Sequence, residues 1–259
     1  MTDELDRLAL AARATVQSGY YRVGPEGTPS RTRLTHHLKD PEGSRIVAEI
    51  KPASPTAGTL RAGADAGSLA QAFAKAGAAG ISVLTEPHRF GGSLRNLAAA
   101  TAAGAPVLFK DFVVSRDQLD AAARGGAAAV LLILDLFERG HADLCVESAI
   151  AAAHDRGLET ILEVYDEDGY LAARETATDI VGVNNRDLRT LHVDPYRAEL
   201  LLAEHGKDRP VMALSGVETA EDVRRQMTAG ADGVLVGSAL MKAPDPALKL
   251  TELTRWRST

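Results

Sequence analysis

Two lysines and two glutamates stand at or beside the ends of short apolar runs, where a buried strand would present them to a pocket. Glu49 and Lys51 lie two residues apart, so both point to the same face of a pleated strand. Lys110 ends another apolar run, and Glu163 lies inside a third. The chain has only seven lysines, and lysine and glutamate are almost never fully buried unless they are paired or functional. A solvated ion pair is the structural alternative, but the coincidence of four such groups favours acid–base chemistry.

Polar residues and glycines follow three further apolar runs. They are Asn184, Asn185, Arg186, Ser215, Gly216, Gly237 and Ser238. The serine–glycine pairs after the last two runs fit a phosphate site, because glycine lets the backbone approach closely and serine hydroxyls donate to phosphate oxygens. Tight turns are the structural alternative for each pair. Together, and in these positions, the two pairs favour a phosphorylated ligand.

Eight apolar runs, each followed by a helix-like segment, must position these residues. The runs are continuously apolar rather than alternating, as strands buried on both faces of a parallel sheet require. Eight such units in 259 residues predict a single (β/α)8 TIM barrel of the α/β class, with its chemistry at the carboxyl ends of the strands. A doubly wound sheet is disfavoured, because it would have fewer strands and a glycine-rich loop after the first one. The predicted strands are Ile46–Ile50, Gly80–Leu84, Pro106–Phe109, Ala128–Leu134, Thr160–Val164, Ile180–Val183, Val211–Leu214 and Gly233–Val236.

Capping residues open several of the predicted helices. Ser68, Ser93, Ser115 and Thr219 are the expected N-caps. The predicted helices are Ser68–Ala79, Ser93–Ala103, Ser115–Arg124, a long one ending near Arg156, Asp166–Glu175, Pro195–Glu204, Thr219–Ala229 and one near Pro246–Trp256. The first 44 residues differ, since a loosely helical segment precedes a loop rich in glycine, proline and arginine and then a short helix. We therefore predict an N-terminal helical extension over residues 1–44 and the barrel over residues 45–259.

Composition and charge exclude several classes of partner. The net charge of −6 and the aromatic content of 4% argue against nucleic acid, which needs basic grooves and stacking platforms. The single cysteine, Cys145, predicted to pack within a helix, excludes an internal disulfide framework and a cysteine-based metal cluster. The longest apolar run, Ala127–Leu134, falls far short of the roughly 20 residues that span a bilayer. The chain starts acidic rather than basic, so the sequence predicts a cytoplasmic protein with no membrane partner.

Eight short segments within residues 48–241 form an ordered set. They are Ala48-Glu49-Ile50-Lys51-Pro52-Ala53-Ser54-Pro55, Ser82-Val83-Leu84-Thr85-Glu86, Phe90-Gly91-Gly92-Ser93, Phe109-Lys110-Asp111-Phe112-Val113, Leu162-Glu163-Val164, Gly182-Val183-Asn184-Asn185-Arg186-Asp187-Leu188, Ser215-Gly216-Val217 and Gly237-Ser238-Ala239-Leu240-Met241. In content and order, this set resembles the indole-3-glycerol-phosphate synthase family of tryptophan biosynthesis. The Glu-Ile-Lys and Lys-Asp-Phe elements are specific, whereas the final Gly-Ser is shared with other phosphate-binding barrels.

The resemblance implies a ring closure. The substrate would be 1-(2-carboxyphenylamino)-1-deoxyribulose 5-phosphate, converted to indole-3-glycerol phosphate with loss of CO₂ and water. No metal and no organic cofactor are implied, and the partner is a small phosphorylated substrate. Residues 1–44 would match the family's extra helices, which lie across the barrel mouth. The oligomeric state stays open, with a monomer favoured.

The resemblance also implies a role for each candidate residue. Lys110 would be the general acid at the ketone oxygen, Glu163 would assist later proton transfers, and Lys51 would contact the substrate carboxylate or take part in dehydration. Glu49 would hold the lysines in place, and Asn184 would orient substrate and catalytic groups. The substrate-binding positions, most of them for the phosphate, are Ser54, Arg186, Ser215, Gly216, Gly237 and Ser238. Two lysines and two glutamates in one pocket should also shift each other's pKa values.

The sequence departs from the family pattern at Leu214, where a glutamate usually precedes Ser-Gly, and at Pro52, where a basic residue is usual. Loss of that carboxylate would change the coupling of pKa values or make room for an altered aromatic ring. Two enzyme readings therefore stay open: the synthase itself, and a paralogue of specialised metabolism that takes a modified anthranilate adduct. A catalytically silent barrel that binds a phosphorylated ligand is disfavoured, because both lysines and Glu163 are present. Another phosphate-binding barrel isomerase would need an Asp pair or a Cys-Asp pair at strand ends, and none can be placed.

Overall fold

Eight parallel strands close into a barrel in the computed structural model, which describes residues 3–40 and 42–257. Each strand pairs with its neighbours in sequence, and the eighth pairs with the first. The strands are β1 Ile46–Ile50, β2 Gly80–Leu84, β3 Val107–Lys110, β4 Ala129–Ile133, β5 Glu159–Val164, β6 Ile180–Asn184, β7 Val211–Leu214 and β8 Gly233–Val236. The predicted (β/α)8 barrel is confirmed, and all eight apolar runs form the predicted strands to within one or two residues.

Burial explains why these runs form strands. Lys110 alone among the barrel-strand residues is partly exposed, and all the others are buried. One hydrophobic cluster joins the strands to the surrounding helices, and a second fills the barrel interior. Strands covered on both faces cannot alternate polar and apolar residues, so the continuous runs are the expected pattern.

Twelve helices surround and cap the barrel in the part of the chain that the structure describes. They are α1 Glu4–Gln17, α2 Leu34–Lys39, α3 Ala66–Lys75, α4 Leu94–Thr101, α5 Arg116–Arg124, α6 Leu134–Glu138, α7 Val146–His154, α8 Glu167–Arg174, α9 Arg197–His205, α10 Ala220–Thr228, α11 Ser238–Lys242 and α12 Pro246–Thr254. Ser93, Ser115 and Thr219 are N-caps as predicted, each accepting a hydrogen bond from a backbone N–H of its helix.

The long helix predicted to end near Arg156 is wrong, because the chain forms two helices there, α6 and α7. Gly140 has a φ of 67° and ends the first of them. The backbone N–H of His141 then donates to the carbonyl of Leu136, and that of Asp143 donates to the carbonyl of Val114. The linker is therefore held to the neighbouring loop, and the chain must restart a helix beyond it.

Two smaller predictions are also corrected, and two short elements were not predicted. The N-cap of α3 is Asp65 rather than Ser68, because the Asp65 carboxylate accepts hydrogen bonds from two backbone N–H groups of the first turn. Cys145 is exposed at the start of α7 rather than packed within a helix. The loop after β1 contains a two-residue hairpin, Ala53–Ser54 with Gly58–Thr59, and the short helix α11 follows β8 directly. No helix of the described residues is long and apolar enough to cross a membrane.

Helices α1 and α2 pack at opposite ends of the barrel. Leu34 opens α2 and donates its backbone N–H to Glu159, the first residue of β5. Glu4 opens α1 and donates its backbone N–H to the carbonyl of Arg189, beyond the carboxyl end of β6. The N-terminal segment thus supplies helices to both the base and the mouth of the barrel. The domain boundary at residue 44 stays a prediction.

Candidate active site

A cavity of about 460 Å³ opens at the carboxyl ends of the strands. Its lining includes all eleven residues singled out for catalysis or substrate binding: Glu49, Lys51, Ser54, Lys110, Glu163, Asn184, Arg186, Ser215, Gly216, Gly237 and Ser238. Asn185, which also follows β6, is not among the lining residues. Its side-chain oxygen accepts from the backbone N–H of Ala198 on α9, and its amide donates to the Ser215 carbonyl. Asn185 therefore supports the turn after β7 from outside the cavity.

Glu49 and Lys51 form a pair on β1 and just beyond it. The Lys51 ammonium lies 2.9 Å from Glu49 Oε1. Burial by itself would raise the pKa of Glu49, but the nearby charges of Lys51 and Lys110 outweigh it and hold that pKa below its ordinary value. Glu49 is therefore an anion between the two lysines of the cavity, as the coupling predicted from sequence requires.

Gly237 makes room for this carboxylate at the end of β8. A Cβ atom added at this position would lie 2.4 Å from Glu49 Oε1, a distance that real Cβ atoms do not tolerate. Glycine is thus the residue that lets the backbone after β8 approach the Glu49 side chain. The same backbone approach brings the N-terminus of α11 to the wall of the cavity.

Lys110, Glu163 and Asn184 form a second group on β3, β5 and β6. The Lys110 ammonium lies 3.7 Å from Glu163 Oε2, and the Asn184 amide donates to Glu163 Oε1 at 2.8 Å. Asn184 is itself oriented, because its oxygen accepts from the backbone N–H of Arg186 at 2.9 Å. Within the described chain, Glu163 Oε2 accepts no hydrogen bond although it is buried. One carboxylate oxygen, next to an ammonium, thus has no hydrogen-bond donor among the described residues.

Arg186 adds a third cation to the cavity. Its guanidinium donates to the Leu191 carbonyl at 2.9 Å, and burial lowers its pKa below the ordinary value. Among the residues that the structure describes, no carboxylate lies within ion-pair distance of it. A half-buried guanidinium without a counter-ion is suited to bind an anionic group of a ligand.

The turns after β1 and β7 bring serines to the rim. Ser215 has a φ of 65°, a left-handed conformation that a side chain rarely adopts, and Gly216 follows it. The backbone N–H of Ala57 donates to the Ser54 hydroxyl at 3.2 Å within the hairpin after β1. Backbone strain held at such a position is typical of functional turns.

The apolar wall of the cavity was not predicted from the sequence. The rings of Phe90 and Phe112 lie 5.7 Å apart, and Leu8 reaches the cavity from α1. Both phenylalanines follow barrel strands closely, and the chain has only five. Their position was the signal that the sequence offered, because scarce aromatic residues just beyond strand ends suit a planar ligand. The remaining apolar lining includes Leu84, Ile133, Leu188, Leu191, Leu214 and Leu235.

Helix α1 is held over this wall by ionic contacts. Asp3 and Asp6 lie 2.7 and 3.2 Å from Arg139, which follows α6, and Asp6 lies 2.9 Å from His141 Nε2. Leu5 and Leu8 are buried on the opposite side of the helix. The apolar face and the charged first turn together fix the helix where Leu8 can line the cavity.

One group of residues in the described chain has the spacing of metal ligands. Glu167, Glu204 and His205 lie together on α8 and α9, outside the barrel. Both glutamates are exposed, and exposed acidic groups often gather without an ion. This group is remote from the cavity, where acid–base and cationic side chains converge instead.

Comparison with known proteins identifies the family. The family model of indole-3-glycerol phosphate synthase matches residues 8–253. The chain is 44% identical over 200 residues to indole-3-glycerol phosphate synthase of Halobacterium salinarum, covering 77% of this chain and 76% of that protein. It is 37% identical over 256 residues to indole-3-glycerol phosphate synthase 1 of Streptomyces coelicolor, covering 96% and 94%.

Solved structures that resemble the chain share its fold at low identity. A mandelate oxidase matches with a TM-score of 0.61 and 16% identity, covering 99% of this chain and 91% of that one. Thiamine phosphate pyrophosphorylase from Pyrococcus furiosus matches with a TM-score of 0.59 and 19% identity, covering 84% and 97%. These structures support the barrel alone, whereas the family model and the Streptomyces coelicolor relative span nearly all of the sequence. The chain belongs to the indole-3-glycerol phosphate synthase family.

Proposed function

We propose that this chain converts 1-(2-carboxyphenylamino)-1-deoxyribulose 5-phosphate to indole-3-glycerol phosphate, CO₂ and water. The observation that carries the proposal is the group at the floor of the cavity. There the Lys110 ammonium lies 3.7 Å from a carboxylate oxygen of Glu163 that accepts no hydrogen bond from the described chain. An acid and a base are thus adjacent between an aromatic wall and serine–glycine turns, as a phosphorylated aromatic substrate requires.

Ring closure is the first step. The ring carbon that bears the carboxylate attacks the ketone carbon of the sugar, and Lys110 donates a proton to the ketone oxygen, which becomes a hydroxyl. The carboxylate then leaves as CO₂, and its bonding electrons restore the aromatic ring. A cation at the developing alkoxide lowers the barrier, because it stabilises charge that appears only in the transition state.

Dehydration completes the indole. The hydroxyl made in the first step takes a proton from a lysine ammonium of the cavity and leaves as water, and the amine nitrogen supplies the electrons through the ring. The carbon next to nitrogen then loses a proton, and Glu163 takes it. Asn184 holds the Glu163 carboxylate through Oε1, at 2.8 Å, so that Oε2 remains the basic oxygen.

Binding of the substrate uses the remaining cations and the turns. Lys51 and Arg186 are suited to the substrate carboxylate, Lys51 also assists dehydration, and Glu49 keeps the lysines in place. The phosphate is assigned to the rim residues Ser54, Ser215, Gly216, Gly237 and Ser238. The planar ring then lies against Phe90 and Phe112, which supply an apolar surface for it.

An indole fluorescence assay tests this proposal. Wild-type protein mixed with the carboxyphenylamino-deoxyribulose phosphate should develop product fluorescence, and Lys110→Ala should reduce kcat by about 10²-fold or more. The variant must show the wild-type melting temperature, so that loss of folding is excluded. Equal turnover by Lys110→Ala, or no product from folded wild-type protein that binds the substrate, contradicts the proposal.

Leu214 favours one alternative, a paralogue that takes a ring-substituted anthranilate adduct. This leucine lines the cavity and is 1% exposed, in the position where the family pattern has a glutamate. Its isobutyl group extends the apolar wall beside β7. Substituted adducts should then be turned over faster than the plain one, and Leu214→Glu should reverse the preference. A rate on the plain substrate that exceeds all the others and is unchanged by Leu214→Glu contradicts the alternative.

A cytoplasmic monomer is the simplest form for this activity. All eleven residues assigned to catalysis or substrate binding line one cavity of a single chain, which supports a monomer. Phosphorylated intermediates are retained in the cytoplasm, which supports that location for the enzyme. Sedimentation should give a mass near 27.3 kDa, and a dimer with lower activity on dilution would contradict the monomer.

A further inference from the structure

Asp111 is a buried carboxylate that the proposed chemistry does not use. It directly follows Lys110, the last residue of β3, and is 2% exposed. Three donors meet it: the Thr85 hydroxyl at 2.6 Å and the Tyr21 hydroxyl at 2.9 Å on Oδ2, and the backbone N–H of Phe112 at 2.8 Å on Oδ1. None of these donors is charged, and the described residues provide no cation in ion-pair contact with it.

A buried carboxylate such as Asp111 lowers the stability of the folded state. Burial is the main cause that raises the pKa of Asp111, to about 6, and the nearby charge of Glu86 acts in the same direction. A buried carboxylate held only by neutral donors is weak evidence for stability, because its desolvation opposes folding. Since Asp111 adds little to stability and directly follows Lys110, we expect it to act on the position of the Lys110 side chain.

One of the donors to Asp111, Thr85, also holds the backbone of Lys110. The backbone N–H of Thr85, just beyond β2, donates to the Lys110 carbonyl at 3.1 Å, while its hydroxyl donates to Asp111. Thr85 thus holds both the carbonyl of Lys110 and the side chain of Asp111, the residue that follows it. The side chain of Lys110 leaves this fixed point toward Glu163 on β5.

Tyr21 brings the N-terminal segment into the same network. It lies in the short 3₁₀ turn Tyr20–Arg22 after α1 and is 1% exposed. Its backbone carbonyl accepts from the Arg124 guanidinium at 2.7 Å, and its ring packs edge-on against Tyr20 with centroids 4.9 Å apart. The Tyr21 hydroxyl therefore approaches Asp111 from a rigid support, and the contact joins residues 90 apart in sequence.

We propose that Tyr21, Thr85 and Asp111 are positioning residues for Lys110, through which the N-terminal segment sets the direction of the ammonium in the cavity. The inference rests on the proposed function, because it assumes that Lys110 is the general acid. Loss of the Tyr21 hydroxyl leaves Asp111 Oδ2 with one donor, and the turn after β3 is then free to rotate Lys110 away from Glu163. A displacement of about 1 Å at a catalytic group is enough to slow a reaction severely.

The test compares two tyrosines. Tyr21→Phe should lower kcat by about tenfold and leave KM within about twofold. Tyr170→Phe is the control, because that hydroxyl also donates one hydrogen bond from a buried ring, in its case to the backbone carbonyl of Gly206 on the outside of the barrel. Both variants lose one buried hydrogen bond, but only Tyr21→Phe should lose rate. Equal kcat values for the two variants overturn the proposal.

Thr85 supplies a rescue. Thr85→Val removes the hydroxyl and should lower kcat as Tyr21→Phe does, whereas Thr85→Ser keeps the donor and should retain a kcat near the wild-type value. A merely structural role would make both variants alike in kcat, since both disturb the packing of the methyl group or the hydroxyl. That outcome also overturns the proposal.

A second readout separates this inference from the proposed function. Reductive methylation with ¹³C-formaldehyde labels the lysines, and the Lys110 resonance is assigned as the one absent from Lys110→Arg. Its chemical shift should change in Tyr21→Phe and stay unchanged in Tyr170→Phe, whether or not the protein turns over the substrate. Wild-type protein without product overturns the proposed function, and an unchanged Lys110 resonance in Tyr21→Phe overturns the positioning role.

Discussion

Two buried glutamates four residues apart on β5 have opposite surroundings. Glu159, at the base of the barrel, accepts from the backbone N–H groups of Leu34 and Thr35 and from the Thr35 hydroxyl. Glu163, at the mouth, accepts one hydrogen bond, from Asn184, and leaves Oε2 without a hydrogen-bond donor in the described chain. Both are 1–2% exposed, so burial does not distinguish them.

The difference separates a structural carboxylate from a chemical one. At the base, the bonds of Glu159 tie the start of α2 to the barrel, and the buried Leu34 and Leu38 close its interior. Both oxygens of Glu159 accept hydrogen bonds, and Oε1 also lies 3.7 Å from the Arg33 guanidinium, so this carboxylate is fully engaged by the chain. At the mouth, an oxygen 3.7 Å from the Lys110 ammonium accepts no hydrogen bond from the described chain. The two ends of one strand thus show that the pattern of hydrogen bonds, rather than residue type or burial, marks the site.

The largest expected effect is that of Glu163→Gln. The amide cannot accept a proton at neutral pH, so kcat should fall by about 10²- to 10³-fold. The melting temperature should change little, because the amide can still accept from Asn184. Steady-state kinetics and a thermal scan on the same preparation check both statements. If Glu163→Gln lowers the melting temperature but leaves kcat unchanged, Glu163 has a structural role like that of Glu159, and the prediction is wrong.

Asp111 extends the comparison to pH. Its pKa is raised to about 6, against 3.8 for an ordinary aspartate, so the folded state binds its proton more tightly than the unfolded state does. The stability from that proton is complete below pH 3.8 and is lost as the pH rises through 6, by about 3 kcal/mol at most. Between pH 4 and 7, the free energy of unfolding of wild type should therefore fall relative to that of Asp111→Asn. Denaturant titrations at several pH values measure the free energy of unfolding of both proteins. A constant difference between wild type and Asp111→Asn from pH 4 to 7 would contradict the prediction.

At the base, Glu159→Gln should act on stability alone. Its amide group would face the donors of Leu34 and Thr35, which leaves a buried donor unpaired at a cost of about 2 kcal/mol in the free energy of unfolding. The value of kcat should stay within about twofold, since the base lies at the far end of the strand. Urea unfolding and turnover measured side by side check it. A large loss of kcat with normal stability would break the distinction between the two ends.

The smallest expected effect comes from two glycines on and after β8. In Gly237→Ala the new methyl group would lie 2.4 Å from Glu49 Oε1, so the carboxylate must move and kcat/KM should fall by about tenfold. In Gly233→Ala it would lie 2.5 Å from Leu38 Cδ2, and the leucine should move at a cost of about 1 kcal/mol in unfolding free energy. The same substitution thus acts on rate at the mouth and on stability at the base. Steady-state kinetics and urea unfolding of both variants measure these effects. A loss of rate in Gly233→Ala together with a loss of stability alone in Gly237→Ala would contradict the prediction.

The sequence predicts the barrel because its evidence is local. Each strand is a continuous apolar run, and the strand-end residues follow these runs directly, so order and spacing suffice. Helix ends are less well predicted, since the break at Gly140 depends on a contact between Asp143 and Val114. The five-residue helix α11 is too short to show a helical period.

The site was only partly predictable, because several of its parts depend on distant residues. The contact of Tyr21 with Asp111 and the approach of Leu8 to the cavity join the N-terminal segment to strand ends. No local spacing encodes such contacts. The different surroundings of Glu159 and Glu163 are likewise set by α2 and by β6, which are distant in sequence from one or both glutamates.

The most direct test of the account follows the carboxylate carbon of the substrate. Substrate labelled with ¹³C in that group is mixed with the protein and monitored by NMR. The account predicts that the label leaves as CO₂ and bicarbonate at the rate at which indole-3-glycerol phosphate appears, and that Lys110→Ala and Glu163→Gln both slow the release. Consumption of the substrate with the label retained in the product would contradict a decarboxylating ring closure and would favour an isomerase of the same fold.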